Sequence, residues 1–344
     1  MDKQSANAYI YAKTSGNLRK SFIGERAHLL FEQKSLSDLW TLLFKSPVPE
    51  IPEVLLAEKI EHEAMYRFLK QYTDFVSLFD KPDPIYLDQL CIYEAENLKE
   101  IAAALINEEH EVPSHIELGK YEKLHYDQWP NIEQITKGSE FAWYNKVPDG
   151  AKQQEMEMAI DLQVVRHISQ SLHKQKGENY KALVEIYKAE YLIKNIVWAL
   201  RLKLYYKYSD EEIINKLIYV TEAPDKNDPV AAPVIKMLEM PLDDYNAWAN
   251  WKYAYLLNPH TEGEVWRVDP SYIERKNRVR MNALAKHIFH HYPMSGSCLI
   301  CWYKIKNFEL SCIRTAVESL KLNIDSQEAM RIVGLDEAGG LING

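Results

Sequence analysis

Glycine is scarce in this chain, with 12 among 344 residues. Tight left-handed turns and the loops that wrap phosphate groups depend on glycine. Neither G-x-x-x-x-G-K-[ST] nor G-x-G-x-x-G occurs, which argues against a nucleotide site of either kind. Cysteine is equally thin: Cys91, Cys298, Cys301 and Cys312 are no disulfide framework for a chain of this length and suit a reducing compartment. No window approaches about 20 consecutive apolar residues, so no membrane-spanning helix is expected. The opening MDKQSANAYIYAKTSG has no apolar core of a signal peptide, so none is expected either. Any association with a membrane then has to run through a partner. Positive charge is outweighed, 41 Lys and Arg against 50 Asp and Glu for a formal charge of −9. Phosphate backbones are bound by clustered cations, so no nucleic-acid partner is expected.

What the chain has is helix. Hydrophobic residues make up 47% and charged residues 26%, an ordinary globular mixture long enough for two or three domains, each with its own core. Prolines punctuate it at Pro47, Pro49 and Pro52, at Pro82 and Pro84, at Pro113, Pro130 and Pro148, between Pro224 and Pro233, and at Pro293. Each biases its predecessor away from helix. Between these breaks, residues 55–79 carry apolar side chains at a 3.6-residue period, from Leu55, Leu56 and Ile60 to Tyr72, Phe75 and Val76. Residues 180–206 are apolar on more than one face, which predicts a helix buried between neighbours. Only residues 264–269 alternate as a strand would, and they are few. The predicted fold class is all-α.

Three stretches resemble one another: IYEAENLKEIAAAL from Ile92, IYKAEYLIKNIVWAL from Ile186 and WYKIKNFELSCIRTAV from Trp302. Aligned without gaps they place Tyr93, Tyr187 and Tyr303 in register, then Leu98, Leu192 and Phe308, then Ala103, Val197 and Ile313. After the second and third, a capping-box pattern follows at the same offset, Ser209 with Glu212 and Asp325 with Glu328. The spacing of roughly a hundred residues is too long for a solenoid repeat and fits duplicated small helical domains. It divides the chain into 1–115, 116–222 and 223–344.

With these residues in view, the chain resembles the C subunits (d subunits in eukaryotes) of the rotary V-type ATPases. Residues 9–27, YIYAKTSGNLRKSFIGERA, are similar to that family's first helix, and residues 34–44 to its leucine-rich segment. Residues 93–105 resemble its aromatic, acidic, Asn-Leu-Lys helix, and residues 307–322 its last repeat. The resemblance implies three similar helical domains around a pseudo-threefold axis, forming a funnel. It implies a non-catalytic connector that transmits torque between the central rotor stalk and the membrane proteolipid ring. It also implies a peripheral protein at the cytoplasmic face of a membrane, reaching the bilayer only through the ring. No catalytic residue, cofactor or metal ligand is expected.

Some side chains invite chemistry nonetheless. His287 and His291 stand at i, i+4, and Cys298 and Cys301 form a C-x-x-C close behind, a set that could hold zinc or act as a thiol pair. Pro293 and Gly296 break the chain between them, and the cysteines sit in what reads as an apolar helix start. Carboxylates abound, as at Glu94, Glu96 and Glu100; Glu96 and Glu100, at i, i+4, are simplest as a solvated face. Arg275, Lys276, Arg278, Arg280 and Lys286 make a basic helix, either a solvated face or a docking strip for an acidic partner or anionic lipid. Two rival readings therefore stay open: a helical adaptor of an unrelated complex, and a metal- or thiol-dependent helical enzyme.

Overall fold

The structure, a computed structural model, describes residues 1–147, 149–221 and 224–335. Among them the chain forms α1 (Lys3–Leu18), α2 (His28–Phe31), α3 (Leu36–Phe44), α4 (Glu53–Val76), α5 (Pro84–Ile106), α6 (Ile132–Thr136), α7 (Gln153–His173), α8 (Gly177–Leu204), α9 (Asp210–Asn215), α10 (Ala232–Met237), α11 (Tyr245–Trp248), α12 (Pro270–His291), α13 (Ser297–Leu322) and α14 (Ser326–Val333). No described residue is in a strand, 264–269 included, so the fold is all-α as its sequence predicts. The helices expected over 55–79 and 180–206 are α4 and α8.

The described residues fall into two compact units, Met1–Lys3 with Leu69–Tyr180, and Gln4–Phe68 with Lys181–Gly344. In the first, α5 packs along α7. Its start is fixed by Asp83, whose carboxylate caps the helix at Ile85 N, takes Gln175 Nε2 at 2.7 Å and pairs with Lys3 at 3.1 Å. Pro84 fits there because its missing N–H would have had no helical partner. The fully buried Tyr72 hydroxyl donates to Tyr86 O at 2.8 Å, so a large ring enters the core without a stranded polar atom.

In the second unit α13 is the central helix. All six residues from Cys298 to Tyr303 are at most 1% exposed, so every face of its first turns is covered. An apolar perimeter of this kind forces a helix between neighbours. Here α12 and α14 are among them. Farther along, Phe308, Ile313 and Val317 join Leu39, Trp40, Ile60 and Val333 in one core. Trp40 keeps its indole N–H satisfied on Pro47 O at 3.0 Å, which anchors the first proline break.

The capping boxes come out unequally. Ser209 and Glu212 make both reciprocal bonds. Asp325 accepts from Gln327 and Glu328 N–H, while the Glu328 carboxylate lies 3.5 Å from Arg331. At the far end of α14, Gly334 adopts φ +78°, and a Cβ built there would stand 2.5 Å from Val279 Cγ2. Left-handed backbone and a steric clash act together, so Gly334→Ala is expected to cost about 2 kcal/mol or more in a denaturant titration.

Candidate functional site

Two asparagines organise the ends of two long helices. In α5, Asn97 Oδ1 accepts Ile116 N at 2.8 Å, and its Nδ2 donates to Ile116 O at 2.9 Å and to Tyr126 Oη at 2.8 Å. In α8, Asn195 Oδ1 accepts Ile218 N at 2.7 Å, and its Nδ2 donates to Ile218 O at 2.8 Å and Val230 O at 3.1 Å. Each buried amide mimics a strand partner for the chain that returns after its helix. Asn97 stands nine residues before the last residue of α5, and Asn195 nine before that of α8. This common geometry sets Asn97 against Asn195 and therefore Tyr93 against Tyr191, not Tyr187. The sequence register was one helical turn out in the second copy, because a four-residue slip leaves apolar helix positions on nearly the same face. The pattern that could have fixed it is Tyr-x-x-x-Asn, at Tyr93 and Asn97, Tyr191 and Asn195, Tyr303 and Asn307.

Glu96 and Glu100 are exposed, as a solvated face requires, but Glu94 is 2% exposed. Its carboxylate accepts Lys123 N at 2.6 Å. A Glu94 oxygen, a Glu140 oxygen and Cys91 Sγ lie within 4.8 Å of one another. The Lys123 ammonium is paired with Glu140, so this cluster carries its own cation. Burial pushes the Glu94 carboxyl up to about 7, against the pull of the Lys123 hydrogen bond and charge. A carboxyl raised in the folded state stabilises fully below its unfolded value of 4.5, and that contribution is lost as pH rises through about 7. Glu94→Gln should therefore leave stability nearly unchanged at pH 5 and raise it by up to about 3 kcal/mol at pH 8. Thermal melts of the two proteins across that range read this directly.

The candidate zinc or thiol set does not assemble. His287 and His291 are exposed and stack on each other at 5.5 Å, whereas Cys298 and Cys301 are wholly buried. Cys298 Sγ faces the carbonyls of Tyr292 at 3.2 Å and Phe289 at 3.9 Å, and burial raises both thiol pKa values. A thiol held protonated by its surroundings is a poor ligand and nucleophile. The basic strip on α12 is also no free surface. Its cations are half-buried: Arg275 and Lys276 lie over Tyr272, Arg280 over Tyr255, and burial draws the Lys286 pKa down.

Arg278 instead faces an open cleft of about 560 Å³ within the second unit, between α8, α12 and α13. Its floor includes Ile193, Val197 and Phe308. At one side the Lys304 ammonium meets Glu190 at 2.6 Å, and Lys194 reaches the same carboxylate at 3.5 Å. At another Arg201 pairs with Glu274 at 2.6 Å. Burial opposes charge on Glu190, but the two ammoniums outweigh it and hold the carboxyl at about 2. Nothing in the sequence marked these pairs, since Glu190, Lys304 and Glu274 look like any other helix charges until α8, α12 and α13 come together.

Nowhere among these groups does a nucleophile meet a base beside an open pocket, and the buried amides Asn97 and Asn195 serve as internal braces. A family profile described as ATP synthase (C/AC39) subunit matches residues 7–332. The chain belongs to that family. Its match begins within α1 and takes in nearly all of α14, and hence both asparagine braces and the charges of the cleft. The C/AC39 subunits are non-catalytic subunits of V-type ATPases. This C/AC39 chain is also 23% identical over 320 residues to an uncharacterized protein of Treponema pallidum (strain Nichols), covering 93% of this chain and 94% of that one. Among the described residues no helix is long and apolar enough to cross a membrane.

Proposed function

We propose that this chain is the connector of a rotary V-type ATPase or ATP synthase, joining the central rotor stalk to the membrane proteolipid ring. It transmits torque for ATP-coupled ion transport and performs no chemistry itself. In this reading it is peripheral at the cytoplasmic face and touches the membrane only through the ring. Its three repeats, 1–115, 116–222 and 223–344, surround a pseudo-threefold axis as a funnel. The observation that carries the proposal is the family match over residues 7–332, nearly the whole of this chain. The physics agrees. A torque coupler needs stiffness, which close-packed helices supply, and amide clamps of the Asn97 and Asn195 kind tie each helix to the chain that follows it.

The test is to recover the tagged protein from gently solubilised native membranes and identify the co-purifying chains by mass spectrometry. Central-stalk subunits together with a small, very hydrophobic proteolipid are the expected companions. Recovery of neither, under conditions that keep membrane complexes intact, overturns the proposal in favour of a helical adaptor for another assembly.

A further inference from the structure

The cleft between α8, α12 and α13 has features that a structural brace does not need. Four cations, Lys194, Arg201, Arg278 and Lys304, stand around it against two carboxylates, Glu190 and Glu274. The excess is positive in a chain whose overall charge is −9. Lys304 and Arg201 are tied to those carboxylates. Among the described residues Arg278 has no carboxylate partner, although it is half-buried. The half-buried guanidinium, without a carboxylate of its own, is the group that a bound anion would complete. The cleft wall is otherwise apolar and partly aromatic, with Trp198 and Phe308. The volume of about 560 Å³ lies in the usual range for small-molecule sites.

We infer that this cleft binds a small organic anion, a carboxylate or phosphate monoester attached to an apolar body. The anionic head lies against Arg278, where a guanidinium makes charge-assisted hydrogen bonds. The apolar part covers Trp198 and Phe308. The inference is independent of the rotor-connector proposal, because it concerns the isolated chain.

Phenyl phosphate is the probe, with inorganic phosphate and benzyl alcohol separating head from body. Isothermal titration of the full chain should show saturable 1:1 binding of phenyl phosphate. Inorganic phosphate should bind at least about tenfold more weakly, and benzyl alcohol should give no saturable heat. Arg278→Gln should weaken phenyl phosphate about tenfold or more, the loss of one charge-assisted contact. Glu274→Gln should tighten it, because Arg201 is then released toward the anion; Glu274 is half exposed, so this variant keeps its fold. A change in opposite directions cannot come from general destabilisation, and matching circular dichroism melts confirm that both variants are folded. Absence of saturable binding, equal affinity for inorganic phosphate, or an Arg278→Gln protein that binds like the parent overturns the assignment.

Discussion

Asn195→Ala is expected to lower the stability of the second unit by roughly 4 kcal/mol. The side chain is wholly buried and makes three hydrogen bonds, two of them to the same residue, Ile218. Truncation removes no large apolar surface. What it does is leave one backbone N–H and two backbone carbonyls, those of Ile218 and Val230, without the partner they had. Each buried backbone group so abandoned costs about 1–3 kcal/mol, and water entering the gap recovers part of it. In a unit of this size that corresponds to a fall of roughly 10 °C in midpoint temperature. Asn195→Asp discriminates between lost hydrogen bonds and lost shape. It keeps the volume and the acceptor for Ile218 N, but it turns a carboxylate oxygen toward two carbonyls. It should be at least as damaging as Ala at pH 7 and recover as the acid is neutralised. Asn97→Ala in the first unit should behave in parallel, with a smaller loss, since the partner Tyr126 hydroxyl can turn to water. If Asn195→Ala melts within about 2 °C of the parent, the amide is not a brace and the realignment of the repeats loses its structural footing.

These asparagines also show how far the sequence could be read. Helix was legible because it is written in periodicity and in proline breaks, so α4 and α8 fell within a few residues of their expected positions. The capping signal at Ser209 was legible because it is local. The likeness between the stretches around Tyr93 and Tyr191 was visible, but its register was not. Aromatic and apolar residues recur every three or four positions in all three copies, so Tyr187 and Tyr191 are equally good matches for Tyr93 on periodicity alone. Only the polar residue that has one job breaks the degeneracy, and its job lies 23 residues downstream, at Ile218. The cluster at His287, His291, Cys298 and Cys301 failed for the complementary reason. Nearness in sequence does not fix orientation: the histidines end α12 on its exposed face, and the cysteines begin the most deeply buried turns of α13. The charges of the cleft were invisible for a third reason. Glu190 and Lys304 are 114 residues apart, and only tertiary packing makes them partners.

That pair supports the second large effect. Glu190→Gln should destabilise the protein by about 2–3 kcal/mol at pH 7, because Lys304, largely but not wholly covered, is left without its nearest counter-charge. Lys304 lies over the rings of Tyr187 at 4.9 Å and Tyr303 at 5.7 Å. Those faces attract a cation but do not replace a carboxylate. Burial already draws the Lys304 pKa down against the pull of Glu190, so removing the carboxylate lets the amine shed its proton and limits the loss. The pH dependence has a definite sign. Glu190 is held at about 2, below its unfolded value of 4.5. Its contribution is therefore fully present above pH 4.5 and disappears as pH falls toward 2. The parent should lose stability steeply over that window, and Glu190→Gln should lose less. Lys304→Met in the Glu190→Gln background should then restore most of the neutral-pH loss, because an apolar side chain of similar length fills the space without a stranded charge. A double variant no more stable than Glu190→Gln alone would show that the carboxylate serves the fold through its own hydrogen bonds rather than through the ammonium it faces.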